Sequence, residues 1–126
     1  MTTFSAIVFT VLIGIVILFQ LALAAGMPWG SAAMGGKFPG KYPPAMRFAC
    51  LIQIVILSFI AVIVLTRSGL LFSDWHPLSM SAIWFVVAFS AVAALMNLIT
   101  KSIWERRIWA PVSLALLVLS LMVAFG

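Results

Sequence analysis

Four long apolar segments, separated by shorter polar stretches, dominate this chain of 126 residues. A helix rises 1.5 Å per residue, so 22 residues reach about 33 Å, which is enough to cross a hydrocarbon core of about 30 Å. The pattern therefore predicts an all-α fold, an integral membrane four-helix bundle that forms one transmembrane domain over residues 1–126. We place its spans at about 4–25, 45–66, 78–100 and either 103–125 or 110–125.

The composition indicates that lipid is the solvent of this chain. Hydrophobic residues make up 66% of it and charged residues 7%, whereas a soluble domain carries about 25% charged residues. The net charge of +5 does not indicate a nucleic-acid partner, because the basic residues are spread over several loops and form no dense basic face. In membrane proteins such charges set orientation and contact anionic lipid headgroups.

The start of the fourth span has two interpretations. The uninterrupted apolar run from Ala110 to Phe125 would make only about 24 Å of helix, which is short for a span. A helix that begins at Ile103 would reach about 34 Å and would hold its charged first turns at headgroup level. Ser102 and Glu105 have the spacing of a capping box, which favours the earlier start, and Pro111 would then kink the helix or mark a restart.

The distribution of Lys and Arg predicts the orientation. Loop 1 (residues 26–44) and loop 3 (residues 101–109) lie on one side of the membrane, and loop 2 (residues 67–77) lies on the other. Six basic residues are in or beside loops 1 and 3, against Arg67 alone on the other side: Lys37, Lys41, Arg47, Lys101, Arg106 and Arg107. By the positive-inside rule, loops 1 and 3 are cytoplasmic and both termini are outside.

The sequence carries few groups that could support catalysis or metal binding. The chain has one cysteine, Cys50, and one histidine, His76, so an internal disulfide and a paired CxxC site are excluded. The interiors of the four spans lack Asp, Glu, Lys and His, which disfavours proton relays and the small multidrug exporters that rely on a carboxylate inside a span. We therefore expect no enzymatic activity, no cofactor and no metal.

Three amides lie inside the predicted spans: Gln20, Gln53 and Asn97. They could line a polar path for a small solute, or they could form hydrogen bonds between helices, each contributing about 0.6–2 kcal/mol. The two interpretations differ in whether the amides face one central cavity or separate helix contacts.

The basic side chains at the cytoplasmic end offer a second candidate site. Arg106 and Arg107 lie beside Glu105 and near Asn97, at a predicted helix start that favours anions, and Arg47 begins span 2. These residues could bind an anion or a lipid headgroup. Alternatively, Glu105 caps its own helix or pairs with Arg47, and the arginines are orientation anchors.

Two further segments carry expectations. Pro28, Trp29 and Gly30 begin a loop rich in glycine and proline, which could close over a site or serve as an interfacial tryptophan anchor. In span 3, Ser90 and Ala94 form a small-xxx-small pair that predicts a close helix contact. We expect span 3 to be the most buried of the four.

A resemblance rests on Pro28-Trp29-Gly30 followed by Asn97, by Ser102-x-x-Glu105-Arg106 and by Trp109-x-Pro111. These motifs resemble those of a group of small, uncharacterised four-span bacterial membrane proteins. The resemblance implies a location in the bacterial inner membrane and implies no activity. It also directs attention to the end of the bundle that carries loops 1 and 3.

Two functions fit these observations. The first is a non-enzymatic accessory or interaction subunit, whose partners would be the lipid bilayer with its anionic lipids, another protein or a second copy of the chain. The second is a small channel or carrier for a neutral or anionic solute, with a site made by Gln53, Asn97, Arg47 and loop 1.

Overall fold

The computed structural model describes residues 2–30, 40–70 and 73–126. Within them lie four long helices and a short 3-10 turn at Ser73–Trp75, which confirms the predicted all-α four-helix bundle. Each helix is long and apolar enough to cross a membrane. The bounds lie within two residues of the predicted spans: α1 Thr2–Ala25, α2 Pro44–Arg67, α3 His76–Ile99 and α4 Ile103–Phe125.

Glycine and proline set the helix ends at the predicted places. After α1, Gly26 adopts φ 99°, and the amides of Gly26 and Met27 donate to carbonyls of the last turn, which is the Schellman arrangement. Gly69 ends α2 in the same way with φ 86°. Pro44 occupies the first position of α2, where its missing N–H would have no helical acceptor.

The fourth helix begins at the earlier of the two predicted positions. The hydroxyl of Ser102 accepts a hydrogen bond of 3.2 Å from the backbone amide of Glu105, as expected at a helix start. The helix then continues through Pro111 to Phe125 without a restart. Arg106 and Arg107 therefore belong to a helix, and only residues 100–102 separate α3 from α4.

Each helix packs against two neighbours, in the order α1, α2, α3, α4 and back to α1. The main hydrophobic core occupies the half of the bundle next to loop 2 and the two chain ends. Its fully buried members include Phe9 of α1, Ile60 of α2, Ile83 of α3 and Val123 of α4. Large apolar side chains cover the outer surface, as expected of a protein with lipid contact.

The small-xxx-small pair of α3 is buried as predicted, although the helix as a whole is less buried than predicted. Ser90 and Ala94 are each 3% exposed, which confirms that they face other helices. The expectation that span 3 would be the most buried is wrong: 22% of its most apolar stretch is buried, against 28% in α2 and in α4. Small residues occur on both sides of α3: Ser90 and Ala94 are buried, whereas Ala88 and Ala91 are exposed.

Candidate functional site

A cavity of about 400 Å³ lies between the four helices, in the half of the bundle next to loops 1 and 3. Every helix contributes to its wall. The lining includes six side chains that carry an amide, hydroxyl or carboxylate group: Gln20, Tyr42, Gln53, Asn97, Glu105 and Ser113. The three intramembrane amides thus face one cavity, which is the arrangement expected of a solute site.

Helical spacing explains why these groups share a cavity. On α2, Met46, Ala49, Cys50 and Gln53 recur at intervals of three and four residues, so one face of the helix carries them all inward. On α4, Glu105 and Ser113 are eight residues apart and lie on one face in the same way. Apolar neighbours on the same faces complete the wall.

The three amides differ in what they contact. The amide nitrogen of Asn97 donates to the hydroxyl of Ser113 at 3.0 Å, which joins α3 to α4. That hydroxyl in turn donates to the carbonyl of Trp109 at 2.6 Å. Gln20 and Gln53 make no hydrogen bond to any residue that the structure describes. The interhelical interpretation therefore applies to Asn97, and the other two amides are left facing the cavity.

Glu105 lies near the end of its span, as predicted, but its side chain is not solvated. It is 7% exposed, in the first turn of α4, and it lines the cavity. The expectation that the charged first turns of this helix lie at headgroup level stays a prediction, because burial between helices does not report depth in the membrane. The bundle does hold a carboxylate against its cavity, although the apolar interior of each span contains none.

Tyr42 closes the same end of the cavity from loop 1. Its ring is 3% exposed and packs with Leu23 and Cys50. Burial is the main cause that raises the pKa of the Tyr42 phenol to about 12, and negative charge on a Cys50 thiolate and on the Glu105 carboxylate adds smaller contributions to the same rise. The phenol therefore stays neutral at physiological pH.

Aromatic rings connect the cavity to the start of loop 1. The ring of Trp109, in the cavity wall, lies 4.7 Å from that of Phe19, and Phe19 stacks in turn on Trp29 at 6.3 Å. The indole nitrogen Nε1 of Trp109 is buried and has no acceptor among the described residues. A donor in this position can be satisfied by a molecule in the cavity.

The segment Pro28, Trp29 and Gly30 follows α1 directly and packs at the start of loop 1. The Gly30 amide donates to the carbonyl of Gly40 at 2.9 Å, which holds together the two ends of loop 1. Pro28 and Trp29 line a second, shallower recess of about 650 Å³, together with Trp104 and Ile108 of α4. The predicted lid function stays a prediction, because residues 31–39, with Lys37, lie outside the described residues.

The predicted anion site separates into two groups. Gln53, Asn97 and Glu105 line the cavity, whereas the three arginines do not. Arg47 donates to the carbonyl of Ala24 at 2.7 Å, and Arg106 donates to the carbonyl of Thr100 at 2.9 Å, so these two satisfy the ends of α1 and α3. The side chain of Arg107 is exposed. Anion or headgroup binding by these arginines stays a prediction.

Sequence reasoning missed three contributors to the cavity: Tyr42, Trp109 and Ser113. The signal for the last two was present, because the spacing from Glu105 to Trp109 to Ser113 follows one helical face. It could be used only once the helix was known to begin at Ile103. Nothing local in the sequence marks Tyr42 as buried.

Comparison of the chain with protein-family models, with curated proteins and with solved structures finds no match to any of them. The geometry of the chain itself therefore describes it: a small polytopic membrane protein with a cavity between its four helices, lined mainly by apolar side chains and by six polar ones.

Proposed function

We propose that this protein is a small non-enzymatic membrane carrier that binds a small solute in the cavity between its helices. The observation that carries the proposal is the pair of glutamine amides, Gln20 and Gln53, which face the cavity without a hydrogen bond to any described residue. Packing alone does not explain them, since an apolar side chain would serve that purpose at either position.

The energetics of amides inside the bundle support this function, since Gln20 and Gln53 are both half-buried. Transfer of an amide from water to a hydrocarbon solvent, without a hydrogen-bond partner, costs about 4–8 kcal/mol. Substitutions in proteins give a smaller cost of roughly 1–3 kcal/mol for an unpaired amide. Two such groups at membrane depth therefore require water or a polar solute inside the cavity. A volume of about 400 Å³ also falls in the range of about 300–1,000 Å³ that is typical of small-molecule sites.

The shape of the cavity favours a carrier over an open channel. Its walls belong to the half of the bundle next to loops 1 and 3, while the other half is filled by the main core around Phe9, Ile60 and Ile83. A solute in the cavity therefore meets packed side chains beyond it, and passage would require the helices to rearrange.

Native mass spectrometry of the protein released from mild detergent tests this function. We expect a small molecule to accompany the wild type and to be lost when Gln20→Leu and Gln53→Leu are combined. Ser58→Leu is the matched control, because Ser58 is an exposed polar residue of α2 that bonds only to its own helix at Ile54. No bound molecule in the wild type, and no stabilisation by any compound of a metabolite library, would contradict the proposal.

An accessory or interaction subunit is the second candidate, and the recess beside Trp104 favours it. Trp29 and Trp104 are 44% and 60% exposed, and they flank an apolar groove between α1 and α4 that could receive a helix of another protein or of a second copy. A co-purifying protein that is lost on Trp104→Ala but retained on Gln53→Leu would support this candidate over the carrier.

We further propose a bacterial inner-membrane location with loops 1 and 3 in the cytoplasm and both termini outside. The support is the excess of basic residues around loops 1 and 3. A C-terminal alkaline phosphatase fusion should be active. An inactive fusion, with an active cytoplasmic reporter at the same position, would reverse the orientation.

A further inference from the structure

We propose that the solute is a single-chain amphiphile, a molecule with a small hydrogen-bonding head and an apolar chain, and that it enters the cavity from the lipid through a mouth between α2 and α3. This inference deepens the proposed carrier function and rests on it. It assigns a substrate class and an entry route to the same cavity.

The exposed residues of the cavity wall show where the cavity opens. Of the described lining residues, only Ala49 of α2 and Met96 of α3 are exposed, and Gln53 and Ala93 beside them are half-buried. Two of these four side chains are alanines, which are too short to fill the seam between the helices. α2 also packs less extensively on α3 than the other neighbouring helices pack on one another. The cavity therefore opens through the seam between α2 and α3.

Protein occupies the other directions out of the cavity. Tyr42, which is 3% exposed, covers the end next to loop 1, and Leu23 and Cys50 pack around its ring. The main core around Phe9 and Ile60 fills the half of the bundle next to loop 2. Among the described residues, the seam between α2 and α3 is thus the open side of the cavity.

The mouth lies near one end of both helices and faces outward. Ala49 is about 8 Å from the start of α2, and Met96 is about 5 Å from the end of α3. In helices that cross a membrane, this level is close to the boundary between headgroups and acyl chains, so an entering molecule comes from the bilayer. The exposed side chains that flank the mouth are large and apolar: Phe48 and Ile52 on α2, and Leu95 and Ile99 on α3.

The wall of the cavity matches a molecule of mixed polarity. A wholly apolar occupant would displace water and leave the amides of Gln20 and Gln53 and the indole N–H of Trp109 without partners among the described residues. A wholly polar occupant would lie against apolar side chains, among them Val16 and Leu116. A head that donates and accepts hydrogen bonds, joined to an apolar chain, satisfies both kinds of surface.

The size of the cavity places the head inside and most of the chain outside. A volume of about 400 Å³ lies at the small end of the range of about 300–1,000 Å³ that is typical of small-molecule sites, so it suits a head group and the first carbons of a chain. Met46 and Met96, whose flexible thioethers adapt to varied shapes, line the path of that chain. The rest of the chain then lies in the seam, against the apolar surface of α2 and α3.

The test uses a monolauroylglycerol that carries a photoreactive diazirine in its chain, with the protein in phosphatidylcholine nanodiscs. Cross-linked residues are mapped by mass spectrometry of peptides, with and without an excess of unlabelled monolauroylglycerol or of glycerol. We expect cross-links at the seam, around Ala49 and Met96, that unlabelled monolauroylglycerol removes and glycerol does not. Cross-links at other exposed positions, such as Val118 of α4, should persist, because contact with bulk lipid does not saturate.

Two variants separate the mouth from the polar wall. Ala49→Phe should abolish the competed cross-links, because its ring fills the seam. The matched control is Ala91→Phe, since Ala91 is also an exposed alanine but lies outside the cavity wall; it should leave the cross-links unchanged. Gln53→Leu should raise the concentration of monolauroylglycerol at half competition by about two- to tenfold, because the head loses a hydrogen bond. The wild-type pattern is informative even where Ala49→Phe does not fold.

The outcomes separate this inference from the function beneath it. Cross-links spread evenly over the exposed helix surfaces, or seam cross-links that persist under excess unlabelled monolauroylglycerol, overturn the inference. Removal of the seam cross-links by glycerol alone overturns the amphiphile and leaves a carrier of a water-soluble solute. Competed cross-links that survive in folded Ala49→Phe overturn the entry route between α2 and α3. In each of these cases, the presence or absence of a co-purifying small molecule decides the proposed function separately.

Discussion

Replacing Gln53 by leucine should not destabilise the protein, although it removes a polar residue from the interior of the bundle. Gln53 faces the cavity and bonds to no described residue, so leucine removes an amide without breaking a hydrogen bond to the described part of the chain. If the cavity is dry, this change gains about 1–3 kcal/mol of unfolding free energy, and if cavity water satisfies the amide the gain falls towards zero. The expected change lies between these limits.

Asn97→Leu should act in the opposite direction. It removes the hydrogen bond of 3.0 Å from Asn97 to Ser113, and such bonds between membrane helices contribute about 0.6 kcal/mol on average and at most about 1.7 kcal/mol. The Ser113 hydroxyl keeps its bond to the Trp109 carbonyl, so no buried group is newly left unpaired. Two amides in one cavity are thus expected to shift stability with opposite signs while both variants weaken solute binding.

The assay is reversible unfolding by dodecyl sulfate in mixed micelles, followed by tryptophan fluorescence. Val55→Leu is the control, because Val55 lies on α2 with Gln53 and is 69% exposed, and its replacement should change stability by less than about 0.5 kcal/mol. A loss of more than about 1 kcal/mol on Gln53→Leu, equal to the loss on Asn97→Leu, would refute the reasoning, since it would mean that Gln53 holds helices together.

Three other changes have expected outcomes. Ala94→Leu should cost about 1–3 kcal/mol by overpacking α3, whereas Ala91→Leu, on the exposed side of the same helix, should cost almost nothing in the same unfolding assay. Arg106→Ala should lower the melting temperature clearly more than Arg107→Ala, because of the two only Arg106 donates to a carbonyl at the end of α3. Equal effects of the two variants, with anionic lipid lost only from the double variant in native mass spectrometry, would favour a lipid site instead. The single tyrosine, Tyr42, should ionise near pH 12 when its ultraviolet absorbance is followed. The free energy of unfolding should fall as pH rises from about 10 to 12, because the unfolded chain loses its phenol proton at the lower pH. An ionisation midpoint near pH 10 in the folded protein would contradict the burial of Tyr42.

The fold followed from the sequence because lipid imposes simple rules. Runs of more than 20 apolar residues have to become helices, and Gly26, Pro44 and Gly69 mark their ends by backbone geometry that few other residues share. Ser102 and Glu105 resolved the start of α4 in favour of the longer helix. At each of these positions the local sequence was sufficient to predict where a helix begins or ends.

The candidate site could be predicted from the sequence only in part. The amides were recognised by their type, since polar groups inside spans are rare, but hydropathy does not report which way a side chain faces. The burial of Glu105 depends on how α4 packs against α1 and α3, and that of Tyr42 depends on the path of loop 1. Both are tertiary properties that no local pattern encodes.

The arginines illustrate the same limit. Their number and spacing predicted a cationic, anion-recognising end of the bundle, which stays a prediction. The structure shows that Arg47 and Arg106 donate to backbone carbonyls at the ends of α1 and α3, which uses their charge within the fold. A count of basic residues cannot distinguish a guanidinium that caps a helix from one that is free to bind a ligand.

The central claim, that the bundle holds a hydrated cavity open to solutes, is tested most directly by labelling a thiol at position 53. In a Cys50→Ala background, Gln53→Cys should react readily with a water-soluble methanethiosulfonate reagent. Val55→Cys, 69% exposed on the surface that faces lipid, should react far more slowly, because such reagents require a hydrated thiolate. If the thiol at position 53 reacts as slowly as the one at position 55, the cavity is closed to water and the account is wrong.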